Sequence, residues 1–261
     1  LNPTPNASGD VAAAVGSAGI TAVWAEENTR EGIFDAMKAK ETYGTSGPLI
    51  RLRFFGGWDF PKDLTVQDDF VKKAYAGGVP MGKDLPEKPD AAKAPTFAVW
   101  ALKDPESGNL DRVQIIKCFV NKWNRPGEKI YDVVWSDEEK RSIGENGKLA
   151  PVGNTVDIAK ATYTNDIGAT QLRAVWTDPD FDPAQRALYY VRVLEIPTPR
   201  WSTYDAAKLG VAPLEDVPAT IQERAWASPI WYTPPQELLI EEKLEKLTGK
   251  KWGVSAFDDK K

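Results

Sequence analysis

The chain has 261 residues, of which 42% are apolar, with ten Trp, nine Phe and eight Tyr; this is enough for one large packed domain or two smaller ones. Lys plus Arg total 33 against 38 Asp plus Glu, a formal charge of -5, so no net positive field draws in a phosphate backbone and nucleic acid is not an expected partner. There is no histidine, which excludes Ser-His-Asp and Cys-His catalysis, imidazole-held zinc and histidine proton shuttling.

The first residue is Leu1 and no basic region leads into an apolar stretch, so no signal peptide is expected and the chain reads as a piece of something longer. Residues 19–25 form a short β-branched apolar run. Residues 29–43 have helical spacing, with Asn28 and Glu31 in the pattern of a capping box and Ile33, Phe34, Met37 and Tyr43 on the expected buried face. Residues 45–48 stop that helix, and residues 49–55 alternate apolar side chains with Arg51 and Arg53, as a half-buried strand does. The front therefore reads strand, helix, strand, an α/β unit too small to close its own sheet.

Thr65 begins a predicted short helix with Val66, Phe70, Val71, Ala74 and Tyr75 on one side, ended by Gly77 and Gly78. Residues 78–95 carry four prolines and form a connector. Six β-rich runs follow, at 96–102, 111–121, 129–135, 155–164, 170–176 and 188–196, separated by turn clusters. Together with 49–55 they match an immunoglobulin-like sandwich. Ile115 to Val120 is far shorter than the roughly 20 residues that span a bilayer, so no membrane span is expected. Within it Cys118 is the only cysteine and is expected to be a small buried hydrophobe. Residues 197–235 are rich in proline and aromatics and are expected to wrap and seal an existing surface. Residues 236–249 place Leu239, Ile240, Leu244 and Leu247 on one face of an amphipathic helix.

Three places carry candidate chemistry. Glu26, Glu27 and Arg30 stand between an apolar strand and a helix start, where α/β folds place functional groups; equally, the carboxylates can complement the helix dipole while Arg30 pairs with one of them. Asp178, Asp180 and Asp182 alternate in a turn whose oxygens could converge on calcium, or cap their own backbone. Arg200 and Trp201 open the irregular region and are candidates for substrate binding. Trp100, Trp135 and Trp176 fall in β runs and are expected to fill the core, whereas Trp201, Trp226 and Trp231 leave a glycan-binding surface open.

Several ordered blocks are familiar together. They are Ala22-Val-Trp-Ala-Glu-Glu-Asn-Thr-Arg-Glu31, Lys40-Glu-Thr-Tyr-Gly-Thr-Ser-Gly-Pro48, Val175-Trp-Thr-Asp-Pro-Asp-Phe-Asp-Pro183, Tyr189 to Trp201, Ile221-Gln-Glu-Arg-Ala225 and Ser228-Pro-Ile-Trp-Tyr-Thr-Pro234. From about Gly19 to Pro234 the chain resembles the C-terminal part of a bacterial family known as domain of unknown function 3604. That resemblance implies a front portion similar to the PHP (polymerase and histidinol phosphatase) superfamily, a distorted α/β barrel that holds divalent transition metal through histidines and acids absent from this chain.

On this reading the fold is α+β and mainly β. Residues 1–55 are a strand–helix–strand remnant of the barrel, 56–95 a helix and connector, 96–235 the sandwich with its wrap, and 236–261 a helical tail. The implied function is accessory: the chain partners the barrel portion of a metal-dependent hydrolase, a phosphoesterase when intact, exported to the periplasm or secreted. The rival is a noncatalytic binding module for glycan or protein, with homo-oligomerisation as a further role for the sandwich.

Overall fold

The computed structural model describes residues 19–236 except 122, together with 238, 248 and 249. In chain order the elements are β1 (Ile20–Val23), α1 (Arg30–Lys38), β2 (Thr42–Thr45), β3 (Arg51–Gly57), a 3-10 turn (Leu64–Val66), α2 (Phe70–Gly77), β4 (Gly78–Pro80), β5 (Thr96–Leu102), β6 (Leu110–Val120) and β7 (Pro126–Trp135). They continue with β8 (Gln171–Thr177), β9 (Ala187–Glu195), β10 (Thr198–Pro199), α3 (Trp201–Leu209), β11 (Thr220–Ile221), β12 (Arg224–Ala227) and β13 (Ile230–Tyr232). The fold is mainly β, with antiparallel pairing in every sheet.

Strand alternation builds the layers. On β3 and β5, Leu52, Phe54, Phe97, Val99 and Ala101 point to one face and meet Leu110, Val113, Ile115, Tyr189, Val191 and Val193 from β6 and β9. Each such fully buried large apolar side chain contributes about 1.5–3 kcal/mol. This shared core joins a four-stranded sheet, β4-β3-β5-β8, to a seven-stranded one, β1-β2-β12-β9-β6-β7 with β13 also paired to β9. The opposite face of the four-stranded sheet presents Phe55 and Ala98, which Phe60, Leu64, Phe70 and Ala74 cover in a second core. That sheet is therefore buried on both faces, which explains its near-continuous apolar strands.

The front of the chain departs from expectation. α1 ends at Lys38; Lys40 takes a positive φ of 61° and turns the chain back, so that 42–45 pair antiparallel with β1 instead of extending the helix to Tyr43. The turn fits because Gly82, also at positive φ, lies where a Cβ would meet the Lys40 carbonyl at 2.2 Å. Thr29, not Asn28, is the N-cap, accepting from the Gly32 N–H at 3.1 Å. Of the expected buried face, Phe34 and Met37 are 62% and 55% exposed, while Ala36 is buried. The expected strand–helix–strand unit is also divided: β1 and β2 join the larger sheet beside β12, and β3 joins the smaller one. Residue 55 is thus no seam, because strands from both sides of it share each sheet.

Other differences are local. Residues 155–164 form no strand; Asp157 and Thr162 make an isolated bridge across a turn. In β6 the inward phase falls on Lys117, 2% exposed, and leaves Cys118 half-buried beside Glu128, the reverse of the expected arrangement. The 3-10 turn and α2 replace one continuous helix, leaving Val66 65% exposed. The wrap after residue 196 is more regular than its prolines suggest: it supplies α3, the β10–β11 pair, and β12 and β13 against β9. Leu239, Ile240, Leu244 and Leu247 lie outside the described residues. Among the described residues, no helix is long and apolar enough to cross a membrane.

Candidate functional site

β1 delivers Trp24 and the 25–29 loop to the start of α1, and β2 begins beside them. Between these segments lies a cleft of about 550 Å³ lined by Trp24, Glu26, Glu27, Glu31, Asp35 and Glu41, among others. Gly32 allows the loop to fold over the helix start, since a Cβ there would meet the Glu27 carbonyl at 2.8 Å. Glu27 accepts from the Thr29 hydroxyl at 3.0 Å, so one predicted carboxylate supports the capping residue. Glu26 and Arg30 are exposed. Arg30 makes no ion pair among the described residues and does not line the cleft.

One wall of the cleft is rigid and polar. The Trp24 indole N–H donates to the Leu52 carbonyl at 2.8 Å, and the Arg53 guanidinium lies 3.4 Å over the Trp24 ring, a cation–π contact. Arg53 Nη1 stands 3.3 Å from Glu41 Oε1, and the Tyr75 hydroxyl donates to the same oxygen. Burial first, and the bond to Glu41 second, push the Tyr75 hydroxyl up to about 12. Sequence reasoning missed Glu41, Arg53 and Tyr75, which come from the turn before β2, from β3 and from α2 and share no local motif. The alternation of Arg51 and Arg53 was the available signal, and it does not say which arginine meets an acid.

The acidic turn after β8 is built differently from a calcium loop. Asp178 is buried and accepts from Lys117 Nζ and from the Tyr189 hydroxyl, each at 2.7 Å. Lys117 also donates to the Asp180 carbonyl at 2.7 Å. The Asp180 side chain faces outward, to the Tyr131 hydroxyl at 2.7 Å and Lys129 at 3.0 Å, which hold its carboxyl below its usual range. Asp182 accepts from the Ala184 N–H. The three carboxylates do not converge, and the ammonium of Lys117 stands where the calcium reading needs a cation. Among the described residues, no group of three or more Cys, Asp or Glu is placed to hold a metal ion.

Arg200 is buried at the N-cap of α3, and Trp201 is 39% exposed on its first turn. Neither lines the acidic cleft. Trp100, Trp135 and Trp176 are half-buried, as are Trp226 and Trp231, and Lys40 lies 5.2 Å over the Trp231 ring. The structure therefore gathers Glu26 and Glu27 with Glu31, Asp35 and Glu41, and leaves the other predicted site residues elsewhere.

Compared with known proteins, the chain matches, over residues 4–234, the model of a family described as a protein of unknown function, DUF3604. No curated protein and no solved structure matches it.

Proposed function

Because the chain belongs to the DUF3604 family across residues 4–234, we propose that it is the accessory β-sandwich portion of a PHP-like, exported, metal-dependent phosphoesterase, with the metal held by a barrel portion that docks at β1 and α1. The observation that carries this reading is an unsatisfied surface at that end. Among the described residues β1 is an edge strand paired only with β2, and an edge strand accepts a further strand through its open backbone groups. Ile20 on β1, and Phe34 and Met37 one turn apart on α1, are exposed, apolar side chains that a contact with other protein would cover. Glu26 and Glu27 line the acidic cleft and Arg30 is the first residue of α1, so a barrel portion docking there would bring the three to the joint, to orient substrate or water near the metal.

The test is hydrolysis of bis(p-nitrophenyl) phosphate by the intact natural protein with Mn²⁺, before and after chelation. Turnover that chelation abolishes and Mn²⁺ restores supports the proposal; no turnover of phosphoesters with any divalent metal overturns it. Replacing Phe34 and Met37 together with Glu should lower that turnover, and unchanged turnover would remove the docking face. Alanine at Glu26, Glu27 and Arg30 without effect would remove those residues from the joint.

A further inference from the structure

The C-terminal end of β9 buries an acid with nothing to balance it. Glu195 is 0% exposed. Its Oε2 accepts from the Ser107 hydroxyl at 2.6 Å, and its Oε1 has no hydrogen-bond partner. No Lys or Arg among the described residues forms an ion pair with it. The titratable groups that face it are acids or phenols: Asp104 from the turn before β6, Glu223 from the segment before β12, and Tyr163 from the loop before β8. From β6, its register partner is the apolar Leu110; the neighbouring Asp111 is occupied by Arg112 and Arg141.

This acid sits where three segments are tied. The Glu195 N–H donates to the Glu223 carbonyl at 2.9 Å, and Gln222 donates to both the Glu195 carbonyl and Asp111. Ser46, just past β2, donates to the Glu223 carboxylate and accepts from the Arg224 N–H at 2.8 Å. A charge on Glu195 would be buried without a counter-ion and would face two other carboxylates, an arrangement that a protein avoids by keeping the proton.

We propose that Glu195 is a proton-dependent lock: neutral, it holds the 104–109 turn, β9 and the 220–224 segment together, and ionised, it loosens that junction. Burial, with Glu223 and Asp104 adding to it, pushes the carboxyl up to about 8, against the opposing pull of the Ser107 hydroxyl and the Gly108 backbone. An unfolded glutamate titrates near 4.3. Stability from this group is therefore full below that value, falls as pH rises because the unfolded chain releases a proton that the folded chain keeps, and levels off above about 8. Within the window the unfolding constant rises by about tenfold per pH unit on account of this one site.

The test is a pH titration of the whole chain, with its glutamates labelled with ¹³C at the side-chain carboxyl and its backbone with ¹⁵N. One glutamate carboxyl should titrate near pH 8, disappear in Glu195→Gln and move upward in Ser107→Ala, while the amides of Ser107, Gly108 and Glu223 shift with the same midpoint. If every glutamate titrates below pH 6, or those amides stay fixed while Glu195 titrates, the lock does not exist. Independently, the ratio of wild-type to Glu195→Gln unfolding constants in urea should climb about tenfold per unit between pH 5 and 7; a ratio independent of pH overturns the proposal.

Discussion

The two ends of β9 bury a carboxylate in opposite ways. Near its start, Tyr189 and Lys117 meet Asp178, and each lone pair that faces the core has a donor, including the Asp180 N–H at 2.8 Å. At its end, Glu195 has one hydroxyl donor, one oxygen without a partner and two acids for neighbours. Burial alone therefore does not fix what an acid does: with a cation beside it the acid becomes an anchor, and without one it becomes a titrating group whose protonation the fold must carry.

The largest expected effect comes from breaking the anchored end. Lys117→Met leaves Asp178 buried and charged and should cost about 3–5 kcal/mol, read from urea unfolding at pH 7. Adding Asp178→Asn to that variant should recover most of the loss, because the orphaned charge, not the missing attraction, dominates it. A cost of the single variant below about 1 kcal/mol would mean that the pair is not structural. At the other end the sign reverses. Glu195→Gln replaces a group that ionises with a neutral one of the same shape, and should stabilise the chain by roughly 4 kcal/mol more at pH 9 than at pH 5. Equal effects at the two pH values would show that the amide acts through packing. Tyr189→Phe sharpens the contrast at about 1–3 kcal/mol, since it withdraws one donor from Asp178 while the ring stays packed on Phe97 at 4.5 Å. Unfolding that is unchanged would mean that Lys117 and Asp180 satisfy the acid without it.

How far the sequence foretold this depends on how local the signal was. Runs rich in β-branched and aromatic residues at 96–102, 111–121 and 188–196, bounded by turn clusters, located β5, β6 and β9 nearly to the residue. The second of these runs contained Lys117, but a lysine in an apolar strand reads as an interruption until its partner, 61 residues on, is known. The acidic turn at Asp178 reads from sequence as open to calcium or to capping its own backbone, and the ammonium that meets Asp178 comes from a distant strand that the turn does not announce. Glu26 and Glu27 were legible because they border a strand and a helix; Glu41, Arg53 and Tyr75 were not, since only the tertiary fold brings them onto Trp24. Glu195 was hidden by its own regularity, one more residue in an inward phase otherwise held by Val191 and Val193.

The smallest expected effect separates burial from apolar character. α1 carries an amphipathic stripe in its sequence, yet Phe34 is 62% exposed and Ala36 is buried. Phe34→Glu should change the stability of this chain by no more than about 0.5 kcal/mol, as exposed positions outside caps and ion pairs do. Ala36→Glu, two residues on, forces a charge and four further heavy atoms into a buried position, and should be severely destabilising. If Phe34→Glu proves as costly as Ala36→Glu, the stripe is already covered in the 261-residue chain and the edge at β1 is not where further protein docks. If it is neutral here and lowers turnover in the intact protein, the helix face is silent until a second portion covers it, and the cost of the charge appears only at that contact.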